Sequence, residues 1–423
     1  MTRRQLIRGL AAMAPAAVVT SGPAGRSLMA ADIGTSAAQQ TTEMGPLAAD
    51  VLPDGIRSRF VDNINGLRFH VLEAGFEGGR RPGLILLHSF PDLAYTWHKV
   101  MVPLAEAGYH VFAPDLRGFG RTTGWDADYD GDLFSFRRLN VVRDVLGLVS
   151  AFGYRSLSVV GFGYGGSIAA SLARVRPDVV TSVVFMSVPV GGSGSLPFDT
   201  ANNPPAPPSS PGADLYEELA RLPRPRKYYS RYNATREANE NWWHPPQGLH
   251  AFLRGYFHHK SADWTDNKPF RLASRTAAEM AKMPTYYVMD LADGMAETAA
   301  KNMPSAAQIA ANTWLPDNEL EVYVEEWGRT GFQGGLNIYR SGGLGAQEQQ
   351  LFAGRTIDQP SLYIAGASDW NLYKNPGALE RMQNENCTDM RAVHMVEGAG
   401  HWVELEQPEE TSRLLIEFLR DVA

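Results

Sequence analysis

From Gly55 the chain becomes periodic. Arg57 to Ile64 alternates between polar and apolar positions, Asn65-Gly66 is a strong two-residue hairpin signal, and Leu67 to Leu72 continues as a strand. Gly83 to His88 is a short apolar run closed by a turn, which predicts a buried strand. A helical stretch from Trp97 to Ala107 stops at Gly108, and a strand follows over His110–Pro114. Arg138 to Phe152 places Val141, Val142, Val145, Leu146, Leu148 and Val149 at helical spacing. Leu157–Phe162 reads as a strand, Ser167–Val175 as a helix and Thr181–Ser187 as a strand. Strands alternating with helices of this length predict an α/β fold, a mostly parallel sheet covered by helices on both faces.

The rhythm breaks near Pro189. Residues 190–213 are rich in Gly, Pro and Ser, and 214–355 read as helical and aromatic-rich with no buried strand runs. The sheet pattern returns at 360–366 and 390–396, and an amphipathic helix from Glu409 to Leu419 closes the chain. The expectation is a core built from residues 55–189 and 356–423, with a helical cap over 190–355 inserted as a lid. Residues 1–31 order a basic head (Arg3-Arg4 before Leu6-Ile7), an apolar stretch and small residues, resembling a twin-arginine export signal. Export to the periplasm or beyond is therefore expected, with 32–54 as a flexible lead-in.

Composition narrows the partners. The 423 residues are 44% hydrophobic and 20% charged, enough for a sizeable core. A formal charge of −7 leaves no basic excess to follow a phosphate backbone, so nucleic acid is not an expected partner. The one cysteine, Cys387, excludes an intrachain disulfide framework and reads as a packed thiol. No apolar run after the N-terminus is long enough to span a membrane. No metal or organic cofactor is expected. His258-His259 and His244/His250 read as cap surface, and the alternating Asp126, Asp128, Asp130 and Asp132 as a solvated acidic turn.

In a parallel sheet the chemistry collects at the carboxyl ends of the strands. There stand His88-Ser89-Phe90-Pro91, the glycine-rich Gly161-Phe162-Gly163-Tyr164-Gly165-Gly166, Asp369, and Gly398-Ala399-Gly400-His401-Trp402. Elbow, then acid, then histidine is the chain order of α/β-hydrolases. His401 is the candidate general base, and Asp369 the group that holds its other ring nitrogen.

From Gly55 to the C-terminus the chain resembles the epoxide hydrolase branch of the α/β-hydrolase superfamily. The resemblance rests on His88-Ser89-Phe90-Pro91, Arg117-Gly118-Phe119-Gly120, the elbow, Gly400-His401-Trp402 and, most discriminating, Gly331-Phe-Gln-Gly-Gly-Leu-Asn-Ile-Tyr-Arg340 in the cap. It implies a small hydrophobic substrate and two cap tyrosines that donate to the epoxide oxygen. Tyr339 matches by motif. Tyr229 matches by looser spacing, with Tyr228 and Tyr232 as alternatives. The backbone N–H groups of Phe90 and Tyr164 would form the oxyanion hole, and Trp97 with the Phe90 ring would wall the pocket.

One position departs from the pattern. The elbow's nucleophile, Asp in epoxide hydrolases and haloalkane dehalogenases and Ser in esterases, is here Gly163. Sliding the register offers only Phe162 or Tyr164, and Ser167 falls inside the following helix. Ser89 stands where the family has glycine. Three readings remain. His401 and Asp369 activate water directly, using space vacated at Gly163. Alternatively the same base abstracts a proton, giving a lyase, isomerase or cyclase. In the third the protein only binds a small apolar ligand. The first is the preferred reading.

Overall fold

Strand order, rather than strand content, creates the site. The computed structural model describes residues 44–194 and 214–423. The expected export signal and most of the Gly/Pro/Ser stretch lie outside the described residues. Ten strands run in chain order: β1 Ile56–Ile64, β2 Leu67–Ala74, β3 Gly83–Leu87, β4 His110–Pro114, β5 Leu157–Phe162, β6 Val180–Met186, β7 Arg226–Tyr228, β8 Val288–Asp290, β9 Ser361–Gly366 and β10 Met390–Val396. Among the described residues, eight of them form one sheet in the order β1-β2-β4-β3-β5-β6-β9-β10. β1 and β2 pair antiparallel, as do β2 and β4, and the remaining pairs are parallel. Asn65 (φ 51°) and Gly66 (φ 81°) both take positive φ between β1 and β2, the conformation a type I′ turn demands.

The central strands are apolar at nearly every position because helices cover both faces. Leu84, Ile85, Leu86 and Leu87 of β3 are fully buried. Three core helices follow their strands: α1 His98–Glu106, α2 Arg138–Ala151 and α3 Tyr164–Val175. α3 starts three residues before the helix read from the sequence. Gly165 and Gly166 weaken helix propensity, but a Cβ at Gly165 would run into the carbonyl of Leu87, so the packing of α3 on β3 requires the small residue.

The inserted cap leaves the sheet after β6 and returns at β9, which are neighbours. Because β6 and β9 are adjacent and parallel, the chain must return along the sheet from the C-terminal end of β6 to the N-terminal end of β9. The cap is helical as expected, except that β7 and β8 form an antiparallel ribbon. Three-residue strands carry no readable period, so the ribbon was invisible in the hydrophobic pattern. The lead-in is also only partly as expected. Leu47 N donates to Ser58 Oγ at 2.7 Å, Tyr95 donates to the Val51 carbonyl at 3.1 Å, and Leu52 is buried, so the residues approaching β1 are packed on the core. The two apolar side chains, Leu47 and Leu52, have core surface to cover.

Cap and core meet along a tight seam. Gly334 lies against Gly118 so closely that a Cβ there would sit 2.6 Å from Trp125 and 2.7 Å from the Gly118 Cα. A Cβ on Gly335 would reach within 2.8 Å of the Phe90 ring. This explains the paired glycines of the cap motif. Phe90 in turn contacts Trp242, Trp327, Phe332 and Tyr339 of the cap at ring separations of 4.9–6.2 Å. Trp327 Nε1 donates to the Pro91 carbonyl at 2.8 Å. Gly334→Ala should cost about 1–3 kcal/mol through overpacking, whereas Gly342→Ala, where the nearest atoms lie at 3.6 and 3.8 Å, should stay within about 0.5 kcal/mol of wild type. Urea unfolding of the two variants checks this.

Candidate active site

The base is assembled from three strand ends. His401 follows β10 in a turn so crowded that a Cβ on Gly400 would lie 2.6 Å from the Lys260 carbonyl. Glu406 holds that turn: Oε2 accepts from Ala262 N at 2.8 Å and Gly400 N at 2.9 Å, and Oε1 accepts from Trp402 N at 3.1 Å. His401 N donates to the Lys260 carbonyl at 3.0 Å, tying the turn to the cap. The ring is 4% exposed, and its Nδ1 lies 3.2 Å from Asp369 Oδ2. The carboxylate at Nδ1 fixes the proton there and leaves the Nε2 lone pair on the cavity side.

Asp369 comes from the loop after β9, where its Oδ1 also accepts from Asn371 N at 2.9 Å and starts a short helical turn. It is thus both a cap and the partner of His401. Burial opposes its charge, but His401, Ser187 and Asn371 N outweigh that and hold its pKa below the usual range. Ser187, just after β6, was not singled out in the sequence. Its hydroxyl donates to Asp369 Oδ2, lies 3.0 Å from His401 Nδ1 and accepts from Asn371 Nδ2 at 3.0 Å. Its only sequence signal is its place at a strand end; its φ of 69°, unusual for a non-glycine residue, is visible only in the structure. Burial, and then the positive charge of Lys260, lower the His401 pKa to about 4. The imidazole is therefore neutral near pH 7, but a weaker base than an exposed histidine.

At the elbow, Gly163 takes φ 52° and ψ −108°, a strained region that glycine enters freely. The space beside it is not open. A Cβ on Gly163 would collide with Ser89 Oγ and lie 2.8 Å from Ser89 Cβ. Ser89 Oγ also accepts from Tyr164 N at 3.1 Å, one of the two expected oxyanion donors. The serine on one loop thus fills the place left by the missing side chain on the other, which corrects the expectation of a vacancy there. His88 secures this loop: Nδ1 donates to the Ser89 carbonyl at 2.7 Å and Nε2 accepts from Leu116 N at 3.0 Å.

These groups face a cavity of about 200 Å³ lined by Ser89, Phe90, Gly163, Tyr164, His401, Tyr229 and Tyr339, together with Arg138, Ser167, Tyr256, Lys260, Tyr287, Asn371 and Lys374. Ser167, inside α3, also lines it. Tyr339 sits in the last turn of the cap helix Gln333–Arg340. Tyr229 follows β7, and its N–H donates to the Tyr287 carbonyl at 2.9 Å, so the unforeseen ribbon is what positions it. The two phenol rings lie 5.9 Å apart. Tyr228 packs in a separate apolar cluster and Tyr232 is buried in the main core, so of the three candidates Tyr229 is the one brought to the cavity. Burial pushes the Tyr229 pKa up to about 12 and that of Tyr339 well above 10, so both remain O–H donors.

Trp97 departs from expectation. It is fully buried in the core and lines no part of this cavity. It ends the turn Ala94–Trp97 and belongs to the main apolar core. His258 and His259 are also buried rather than on the surface, and His259 packs edge-on against Trp264 and Tyr286. Their helix turns inward at its end, which their polarity conceals. Among the described residues no three His, Cys, Asp or Glu side chains converge as a metal site, and no helix is long and apolar enough to cross a membrane.

Comparison with known proteins agrees with this geometry. The family model for the alpha/beta hydrolase fold matches residues 82–408. Epoxide hydrolase A of Mycobacterium tuberculosis is 31% identical over 362 residues, covering 85% of this chain and 96% of the relative. An epoxide hydrolase of Caballeronia sordidicola is 28% identical over 85% of this chain and 92% of its own. Among solved structures, an epoxide hydrolase from an endophytic Streptomyces superposes with a TM-score of 0.68 at 28% identity, over 88% of this chain and 97% of the other. The fold and the dyad define an α/β-hydrolase. Within that superfamily the chain belongs to the epoxide hydrolase branch.

The Ser89–Gly163 packing has a measurable signature. Gly163→Asp alone should lower stability by about 1–3 kcal/mol, from overpacking and positive φ together. Adding Ser89→Gly should recover at least about 0.5 kcal/mol of that loss as a coupling energy. A double-mutant cycle by chemical denaturation reads it out.

Proposed function

We propose that this protein hydrolyses epoxides of small hydrophobic molecules to diols by direct attack of water. The observation that carries this reading is the shared cavity, lined by His401, Tyr229 and Tyr339 together with Gly163, glycine where a covalent nucleophile would stand. His401, held by Asp369, takes the proton from water as its oxygen bonds to a ring carbon. The C–O bond of the epoxide breaks, and the tyrosines donate to the oxygen as it becomes an alkoxide. Phe90 and Ile338 give the cavity an apolar lining against which a hydrophobic epoxide can pack.

A single turnover in H₂¹⁸O tests the route. Direct attack places ¹⁸O in the first diol formed. An unlabelled first diol means that a carboxylate oxygen of the protein was transferred through an ester, and overturns the proposal. His401→Ala should lower kcat/KM by about 10²- to 10⁴-fold, and Tyr339→Phe by about 10²- to 10³-fold.

The pH profile follows from the base. His401 is lowered to about 4, so it stays unprotonated and competent well below the usual histidine range. Activity should hold as pH falls from 7 toward 5, then drop as the ring gains its proton near pH 4. A kcat/KM profile with its acid limb near 6.5 would contradict the assignment.

A further inference from the structure

The cavity is more cationic than an apolar epoxide requires. Lys260, the last residue of the cap helix Leu249–Lys260, is 5% exposed and lines it. Its ammonium lies 5.2 Å from the Trp402 ring centre, 5.3 Å from Tyr256 and 5.4 Å from Tyr287. Lys374, on the loop after Asp369, reaches the same Tyr287 ring at 5.2 Å. Arg138 also lines this cavity and sits over the Tyr164 ring at 5.0 Å. Arg138, Tyr164 and Ile338 are shared with an adjoining cavity of about 270 Å³, which puts the guanidinium at the junction.

None of these three cations has a carboxylate within 4.0 Å among the described residues, and no Asp or Glu lines the cavity. Buried charges are ordinarily paired, and a ring of aromatic faces compensates only in part. Two carboxylates act on Lys260 from further off. Asp369 is already committed to His401 and Ser187, and Asp92, which bonds Trp402 Nε1 through Oδ1 at 2.9 Å and keeps Oδ2 without a hydrogen-bond partner, lies beyond ion-pair distance of Lys260.

We propose that the substrate of this site is a hydrophobic monoanion, an epoxide bearing a carboxylate that Lys260 and Lys374 hold while Arg138 draws it in. This rests on the reading of the cavity as the reaction site and names its substrate class. Lys260, Lys374 and Arg138 against Asp369 leave the cavity net positive, and a carboxylate on the substrate offsets that charge. Burial and the charge of Lys374 bring the Lys260 pKa down to about 7, as expected for an ammonium short of a counter-ion. Lys260 also lowers His401. A bound carboxylate offsets that charge, so the base strengthens when substrate is present.

Binding tests this without requiring turnover. The full chain is titrated calorimetrically with phenylacetate, phenylacetamide and phenyl phosphate at pH 6.5 and low salt. Phenylacetate should bind about tenfold to a hundredfold more tightly than the amide, the range of a charge-assisted bond. Lys260→Met and Lys374→Met should each remove most of that preference. Lys374 is half-buried, so its variant keeps the test valid if the Lys260 variant does not fold. Equal or undetectable binding of acid and amide, a preference that survives in Lys374→Met, or tighter binding of phenyl phosphate overturns the proposal. Phenylglycidate and its methyl ester are then compared for diol formation. A carboxylate preference in binding with no diol from either keeps the substrate class and removes the hydrolase reading. Diol from the ester with no carboxylate preference does the reverse.

Discussion

The site depends on backbone crowding where β3, β5 and α3 converge. Gly161 faces the Gly165–Gly166 backbone, Gly165 faces the Leu87 carbonyl, and Gly163 faces Ser89. Sheet and helix approach there to a distance that leaves no room for side chains. The chain therefore reverses sharply, α3 begins at once, and the Tyr164 N–H is delivered to the cavity. Ser89 on the facing loop occupies the volume beside Gly163, so the contact stays filled without a side chain at the elbow. The contact constrains occupied volume more than it constrains which loop supplies it.

The remaining machinery is divided between two structural halves. The core supplies the base through β6, β9 and β10, whose ends bring Ser187, Asp369 and His401 together. The cap supplies the phenols and both the ribbon and the helix that carry them. Lys260 joins the halves: its carbonyl accepts from the His401 backbone, while its side chain sets the electrostatic environment of the His401 ring. One residue thus couples the position of the base to its proton affinity.

Much of this was legible in the sequence, and the exceptions have physical causes. His110–Pro114 and Leu157–Phe162 were read to the residue because apolar runs closed by turns have few alternatives. His401 and Tyr339 stood in motifs and reach the cavity, and Asp369, read from its place after a strand, pairs with His401 behind it. Trp97 was misplaced because bulk and aromaticity mark core and pocket walls alike. Lys260 went unnoticed because a charged residue after two histidines at a helix end resembles a solvated terminus, and only the tertiary fold turns it inward. The pairing of Ser89 with Gly163 is a contact between distant loops. Neither residue signals the other, although both departures from the family pattern were visible separately.

The aromatic seam around Phe90 has a thermal consequence. The tyrosines are held over the base chiefly by apolar contact between cap and core, whereas the dyad is held by buried hydrogen bonds. Apolar contact weakens on cooling and in urea, and strengthens in sulfate. The two halves of one reaction centre therefore respond differently to the same solvent. Cold or mild denaturant therefore loosens Tyr229 and Tyr339 before it disturbs the His401–Asp369 pair.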